Sequence, residues 1–452
     1  MNHSQRWLQP APLGLALGMA AAGLLAAFGL KYQCAANGWG DGYQYTHLCY
    51  NEIQALFGVR GIQAGLLPYR DTAFEYPVLT GMFMDLAGRV LRWLVDVELA
   101  GANSDRNYLV VSSVMLAPFS LAVTLLLRPR VGAGRLALWA VGAPTILYTF
   151  HNWDILAVCG AAWGLAAYER NRRGLAGSAL AAGATAKLYP AFLAPGLVLA
   201  RWAEKDWQGA VRVIAGFGAV YAALNVPWII LAGGPPQATP DQFPGVDLRD
   251  PATNGWLGVW LFHAERNPDI WTVWYWLGER AQGLQANPWW GGSFRGFVSL
   301  TSFALFAAAT GYMLVRGWMR RSEPQGFPVV AVGLGIVLAF LITSKVYSPQ
   351  YALWAVPMLV MLDIRVRWVL AYFLSEFAVL VAGFGWFTVF DEPEPGWKDL
   401  LEVAVLARAA LLCVLFWQAT RAVRLLPEGP GQPEAVPQAG PQPAPRQPRP
   451  ID

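Results

Sequence analysis

Long runs of apolar residues dictate the fold class of this chain before any motif is considered. From Leu13 to Leu30, and again at roughly 77–95, 108–127, 136–150, 153–168, 175–202, 210–233, 296–316, 327–343, 351–362, 367–390 and 399–418, the sequence is dense in Leu, Val, Ala, Phe and Trp. A helix needs about 20 such residues to cross the hydrocarbon of a bilayer. Inside that hydrocarbon only helices and closed barrels satisfy their own backbone hydrogen bonds. Charged residues are 14% of the 452-residue chain, against 56% hydrophobic. The chain therefore reads as an all-α, polytopic integral membrane protein. Its first run follows a short N-terminus whose only charge is Arg6 and has no small-residue cleavage site after it, so it reads as a retained span.

The basic residues orient the runs. Arg128, Arg130 and Arg135, then Arg170, Arg172 and Arg173, then Arg201 and Lys205, Arg316, Arg320 and Arg321, Arg365 and Arg367, and Arg421 and Arg424 flank them, and the positive-inside rule places all of these in the cytoplasm. Two runs then cannot be single plain crossings. The run 175–202 is too long and is interrupted from Lys187 to Pro190, so it is predicted to go out and return as two half-spans with Lys187 at the external turn. The run 77–95 carries Asp85, Arg89 and Arg92, which are costly in hydrocarbon, and is predicted to lie on or dip into the outer surface as an amphipathic element. The expectation is about twelve spans with both termini cytoplasmic. One transmembrane domain covers residues 1–425, with large extracytoplasmic loops at 32–106 and 234–295. Residues 426–452, rich in Pro, Gln and Gly, have nothing to bury and are expected to form a disordered cytoplasmic tail.

Several function classes are disfavoured. The net charge of +4 is modest, and no basic stretch is interleaved with aromatics as nucleic-acid binding requires. Four histidines and the absence of HExxH or CxxC patterns argue against a protein-built metal site, and no cofactor is expected. Cys34 and Cys49 share the first loop while Cys159 and Cys413 fall in apolar runs; a Cys34–Cys49 disulfide and two free thiols are equally compatible with that. A transporter, or a protein that binds or flips lipid-linked sugar without transferring it, is the alternative reading. No internal repeat is visible and no ionisable residue is expected at mid-span, and both observations speak against it.

The polar residues that remain gather in the predicted external segments. In the first loop, Asp41, Glu52, Arg60, Arg70, Asp71 and Glu75 read singly as solvated loop charges. Glu52 differs, because CYNEIQALFGVRGI spaces its apolar residues as a surface helix and sets Glu52 at the edge of hydrocarbon, where a carboxylate acquires the raised pKa a general base needs. HNWD at 151–154 offers His151 and Asp154, although helix capping accounts for Asn152 or Asp154 equally well. AKLYP at 186–190 offers Lys187 and Tyr189, and TSKVYSPQY at 343–351 offers Lys345, Tyr347, Ser348, Gln350 and Tyr351. Snorkelling and interfacial anchoring explain each of these alone, but not three such turns on one side.

YNEI at 50–53, LLPYRDTAFEYPVL at 66–79, HNWD, AKLYP, NVPW at 225–228, WLFHAERNPDIWTVWYWL at 260–277 and KVYSPQYALW at 345–354 together resemble the actinobacterial branch of glycosyltransferase family 87, over roughly residues 10–420. The resemblance implies a GT-C fold and transfer of a sugar, often mannose, from a polyprenyl phosphate to an extracytoplasmic glycolipid or polysaccharide hydroxyl. Its partners would be that donor, the acceptor and membrane lipids, with no nucleic acid. The family's loop carboxylate, an Asp upstream of a Gly-x-x-Pro-Tyr run, corresponds to Glu52 ahead of Gly65 to Tyr69, which makes Glu52 the expected catalytic base. Arg70, Asp71 and Glu75 are expected to line or brace a sugar site, with bracing favoured for Glu75; His151, Asp154, Tyr189, Tyr347 and Gln350 join them as expected substrate-binding residues. Lys187, Arg266 and Lys345, from three separate segments, are expected to converge on the donor phosphate.

Overall fold

Apolar run length sets the lengths of the helices, and polar interruptions set where they stop. In chain order the computed structural model contains α1 (Leu13–Asn37), α2 (Glu52–Val59), α3 (Val78–Asp96), α4 (Asp105–Leu127), α5 (Ala133–Ala140), α6 (Ala143–Tyr148), α7 (Asp154–Glu169), α8 (Arg173–Ala184) and α9 (Ala194–Ala203). There follow α10 (Trp207–Leu231), α11 (Gly255–Glu265), α12 (Val273–Gln282), α13 (Gly292–Met319), α14 (Val329–Thr343), α15 (Ala352–Met361), α16 (Val366–Phe387) and α17 (Pro395–Ala419). The structure describes residues 9–282, 292–388 and 395–425. The expected disordered tail lies outside them, as does part of the second large loop. Among the described residues there is no β-strand, only isolated bridges.

Among the described residues six helices, α1, α4, α10, α13, α16 and α17, are long and apolar enough to cross a membrane. Between them the chain runs through shorter helices. α14 has 15 residues and is buried over nearly its whole length, so neighbouring helices rather than lipid surround it. The interruption inside 175–202 is present: α8 ends at Ala184, a 3-10 turn covers Tyr189–Leu193, and α9 returns.

The arginine groups meet at one end of the bundle. Glu169 pairs with Arg130 (2.6 Å) and Arg424 (2.8 Å), and Arg135 donates to the carbonyls of Leu362 (2.6 Å) and Ile364 (2.8 Å). Arg173 and Arg201 flank Asp206, and Arg320 donates to the carbonyls of Thr420 and Ala422. Both described ends of the chain are there too, since Ala133 N donates to Gln9 O and Leu425 N to Met361 O.

The opposite end holds the loops and α2, α3 and α11. α1 runs past the apolar stretch to Asn37 because Lys31 donates to the carbonyls of Leu48 (3.2 Å) and Tyr50 (3.0 Å). A Cys34–Cys49 disulfide ties the same segments together, which decides between the two readings of those cysteines. α3 buries Thr80, Met84, Ala87 and Leu91 on one face and leaves the Asp85–Arg89 ion pair (2.8 Å) on another, the amphipathic form its charges predict.

Candidate active site

Glu52 is positioned by the start of its own helix. Asn51 Oδ1 caps α2 by accepting from Gln54 N (2.9 Å), and Glu52 N donates to His151 O (2.7 Å). The first of these satisfies a helix-start N–H, and the second ties α2 to the HNWD turn. The Glu52 carboxylate then accepts from the Tyr76 hydroxyl and from Asn152 Nδ2 (3.2 Å). Burial raises its pKa above the ordinary carboxylate value, against the opposing pull of Lys187 and the hydrogen bonds from Tyr76 and Asn152. A carboxylate both basic and oriented is suited to take a proton from a hydroxyl.

Lys187 lies beside it. Its ammonium is 3.1 Å from Asp154 Oδ1 and sits over the rings of Tyr76 (4.8 Å) and Tyr351 (5.1 Å). Burial opposes its charge, but Asp154, Tyr351 and Glu52 outweigh that and raise its pKa, so it stays cationic. Asp154 is itself buried and takes Trp354 Nε1 on its other oxygen (2.8 Å).

A cavity of about 470 Å³ opens over these groups. Its polar wall carries Glu52, Glu75, Lys187, Arg266, Lys345 and Gln350, and its apolar wall carries Phe192, Trp260, Phe262, Phe340 and Trp354. Lys345 Nζ donates to Ala264 O and Ser299 Oγ, both at 2.9 Å; burial, then Arg295 and Arg266, lower its pKa. Arg266 pairs with Asp269 (3.3 Å), whose pKa burial pushes up to about 6 against the pull of Arg266. Asp269 N also donates to Lys345 O (2.9 Å), joining the two cation-bearing segments. His263 is held at Glu75 O (2.9 Å); burial and then the nearby Lys187 lower its pKa to about 4, so the ring is neutral. Gln350 Oε1 and the Tyr189 hydroxyl, both buried at the cavity, have no hydrogen-bond partner among the described residues.

The predicted site residues divide by position. Glu52, Glu75, Lys187, Tyr189, Arg266, Lys345 and Gln350 line the cavity. Glu75 also pairs with Arg60 (2.7 Å), which in turn pairs with Asp247. Asp154 stands behind Lys187, and His151 contributes its carbonyl to Glu52 while its buried ring packs on Tyr50 and Tyr148. Arg70 and Asp71 are not in the cavity lining. Asp71 staples loops by accepting from Leu67 N and Gln237 N, each at 3.0 Å, and the Arg70 carbonyl accepts from Arg249 (2.9 Å). Tyr347 turns away into the bundle, donating to Glu376 (2.5 Å). Sequence reasoning did not foresee Tyr76 and Asn152 as partners of Glu52, or His263 at the cavity; all three lie within the quoted motifs, which were their only signal. It also expected no ionisable residue at mid-span, one of its two arguments against a transporter, and the structure corrects this and removes that argument. Glu376 and Arg408 lie midway along α16 and α17, paired at 3.1 Å and almost fully buried. Two opposite charges that satisfy each other can be buried where one alone could not.

Among the described residues no group of three or more His, Cys, Asp or Glu is arranged to hold a metal ion. The helices and the cavity among the loops at one end define a polytopic, helical membrane protein with a polar site beside an apolar wall. The sequence profile of glycosyltransferase family 87 matches residues 97–344, more than half of the chain, and the protein belongs to that family: it is a membrane glycosyltransferase. The matched segment includes Asp154, Lys187 and Arg266, begins after Glu52 and Glu75, and ends just before Lys345. A search of curated proteins gave no match.

Proposed function

We propose that this glycosyltransferase moves a sugar, mannose foremost, from a polyprenyl phosphate to a hydroxyl of a glycolipid or polysaccharide, with inversion at the anomeric carbon. The observation that carries the reading is the meeting of Glu52 with Lys187, Arg266 and Lys345 in one cavity whose other wall is aromatic. Lipid-linked donors need both surfaces: fixed cations for the phosphate and apolar contact for the first isoprene units. Glu52 takes the proton of the acceptor hydroxyl, and the oxygen attacks the anomeric carbon from the face opposite the phosphate. As the sugar–phosphate C–O bond breaks, its electron pair goes to the phosphate, whose charge grows from one towards two. Preorganised cations stabilise that growth more than they stabilise the bound donor. The arginine-rich end of the bundle faces the cytoplasm in this reading, which sets the cavity on the outer side of the cytoplasmic membrane, where envelope glycans are built.

The test is direct. Purified protein in lipid nanodiscs, given polyprenyl-phosphate mannose or arabinose and a panel of glycolipid and glycan acceptors, should form a labelled product of inverted anomeric configuration. Transfer from a nucleotide sugar but from neither lipid-linked donor would overturn the donor assignment. Movement of lipid-linked sugar across the bilayer without transfer would favour the flipping alternative.

A further inference from the structure

We propose that Glu376 and Arg408, buried midway along α16 and α17, are positioning residues that hold the two cation-bearing segments of the cavity in register. Neither residue lines the cavity, so whatever they do is done through others. One arm runs through Tyr347, whose hydroxyl donates to Glu376 Oε1 (2.5 Å) and whose ring lies 3.7 Å below the Arg408 guanidinium. Tyr347 sits in the turn between α14 and α15 that presents Lys345 and Gln350 to the cavity. The other arm runs through Trp271: Arg408 donates to its carbonyl, and its N–H donates to Asp269 Oδ1 (3.2 Å). Asp269 in turn holds Arg266 through its side chain and Lys345 through its backbone. The pair is closed by the contact of Arg408 with Glu376 Oε2 (3.1 Å).

An ion pair at this depth is a poor way to gain stability, because desolvation consumes most of the Coulombic gain and well-packed apolar side chains serve as well or better. Geometry is what such a pair supplies that apolar packing does not. Here the geometry concerns two cations on different loops that must meet one phosphate, and small misplacement of such groups is costly. The inference rests on the proposed polyprenyl-phosphate donor, and its test separates the two.

The probe is undecaprenyl phosphate, the leaving group alone, bound to purified protein in detergent, with the thermal midpoint measured alongside. The variants are Glu376→Leu, Arg408→Met, the two combined, and Tyr347→Phe. Each single charge removal leaves an unpaired buried charge and should lower the midpoint. The double variant should regain the wild-type midpoint yet bind undecaprenyl phosphate about tenfold or more weakly. Tyr347→Phe, which keeps the ring and the ion pair and loses only the hydroxyl bonded to Glu376, should lower the midpoint less than either single charge removal yet weaken binding several-fold. A purely structural role predicts that stability and binding recover together, so a double variant that binds like wild type overturns the proposal. If the double variant does not fold, wild-type binding by Tyr347→Phe overturns it instead. Wild-type protein that prefers undecaprenyl phosphate no more than undecaprenol overturns the donor reading itself, and this inference with it.

Discussion

At Glu52 burial pulls the proton affinity one way while Lys187, Tyr76 and Asn152 pull it the other, and burial wins. A base with a raised pKa loses its working, deprotonated form as pH falls through a value above the ordinary carboxylate pKa of about 4.3, so kcat/KM should fall on the acid side earlier than for an exposed Glu. The Tyr76 hydroxyl lowers that pKa. Tyr76→Phe should therefore move the acid limb of the pH–rate profile to higher pH; a limb that stays put or moves down would show that another group is titrating. Glu52→Gln keeps the shape without the basicity and should cost about 10²–10⁴ in rate, whereas Glu52→Asp should retain part of the activity. Equal rates for wild type and Glu52→Gln would remove Glu52 from its assigned role. On the donor side, Lys345→Ala or Arg266→Ala should each lower the transfer rate by about 10²–10³, with protein yield unaffected. An effect confined to yield would mean that these cations serve folding.

Among the elements, the loop before α3 is the one most shaped by a single side chain. Tyr69, buried and in the left-handed region at φ 66°, donates its hydroxyl to the carbonyls of Tyr76 (2.9 Å) and Pro77 (2.8 Å). That arrangement bends the segment so that Tyr76 reaches Glu52 and Glu75 reaches both Arg60 and the cavity. Two glycines make room for it: a Cβ at Gly81 would fall 2.3 Å from the Tyr69 hydroxyl, and one at Gly255 would fall 1.6 Å from the Tyr69 carbonyl. The second contact is with backbone and cannot be relieved by a rotamer change. Gly255→Ala should therefore lower stability by about 1–3 kcal/mol, seen as a reduced thermal midpoint. Gly101→Ala, which faces open space, should leave the midpoint within error. Equal midpoints for the two variants would mean that α11 is not seated on this loop.

For the molecule as a whole, the testable quantity is which end faces out. Arg89 on α3 and Arg172 before α8 are both exposed and belong to opposite ends. In a background lacking Cys159 and Cys413, an impermeant thiol reagent applied to intact cells should label Arg89→Cys and spare Arg172→Cys. The reverse pattern would invert the topology and move the cavity to the cytoplasm.

Hydropathy and charge are properties of consecutive residues, so the amino-acid order by itself determined the helical membrane class, the break at Lys187, the amphipathic nature of α3 and the grouping of arginines at span ends. The motif order sufficed to indicate the family. Contacts between distant segments depend on the path of every loop between them, and these only the tertiary structure decided. Tyr76 meets Glu52 across 24 residues, Trp354 meets Asp154 across 200, and no local pattern encodes either contact. Asp71 and Glu75 are equally polar in the sequence, yet one staples two loops and the other reaches the cavity. Glu376 and Arg408 are charges in apolar runs that run length alone hides, and they are tolerated only because the fold brings α16 and α17 together at that depth, where each charge offsets the cost of burying the other.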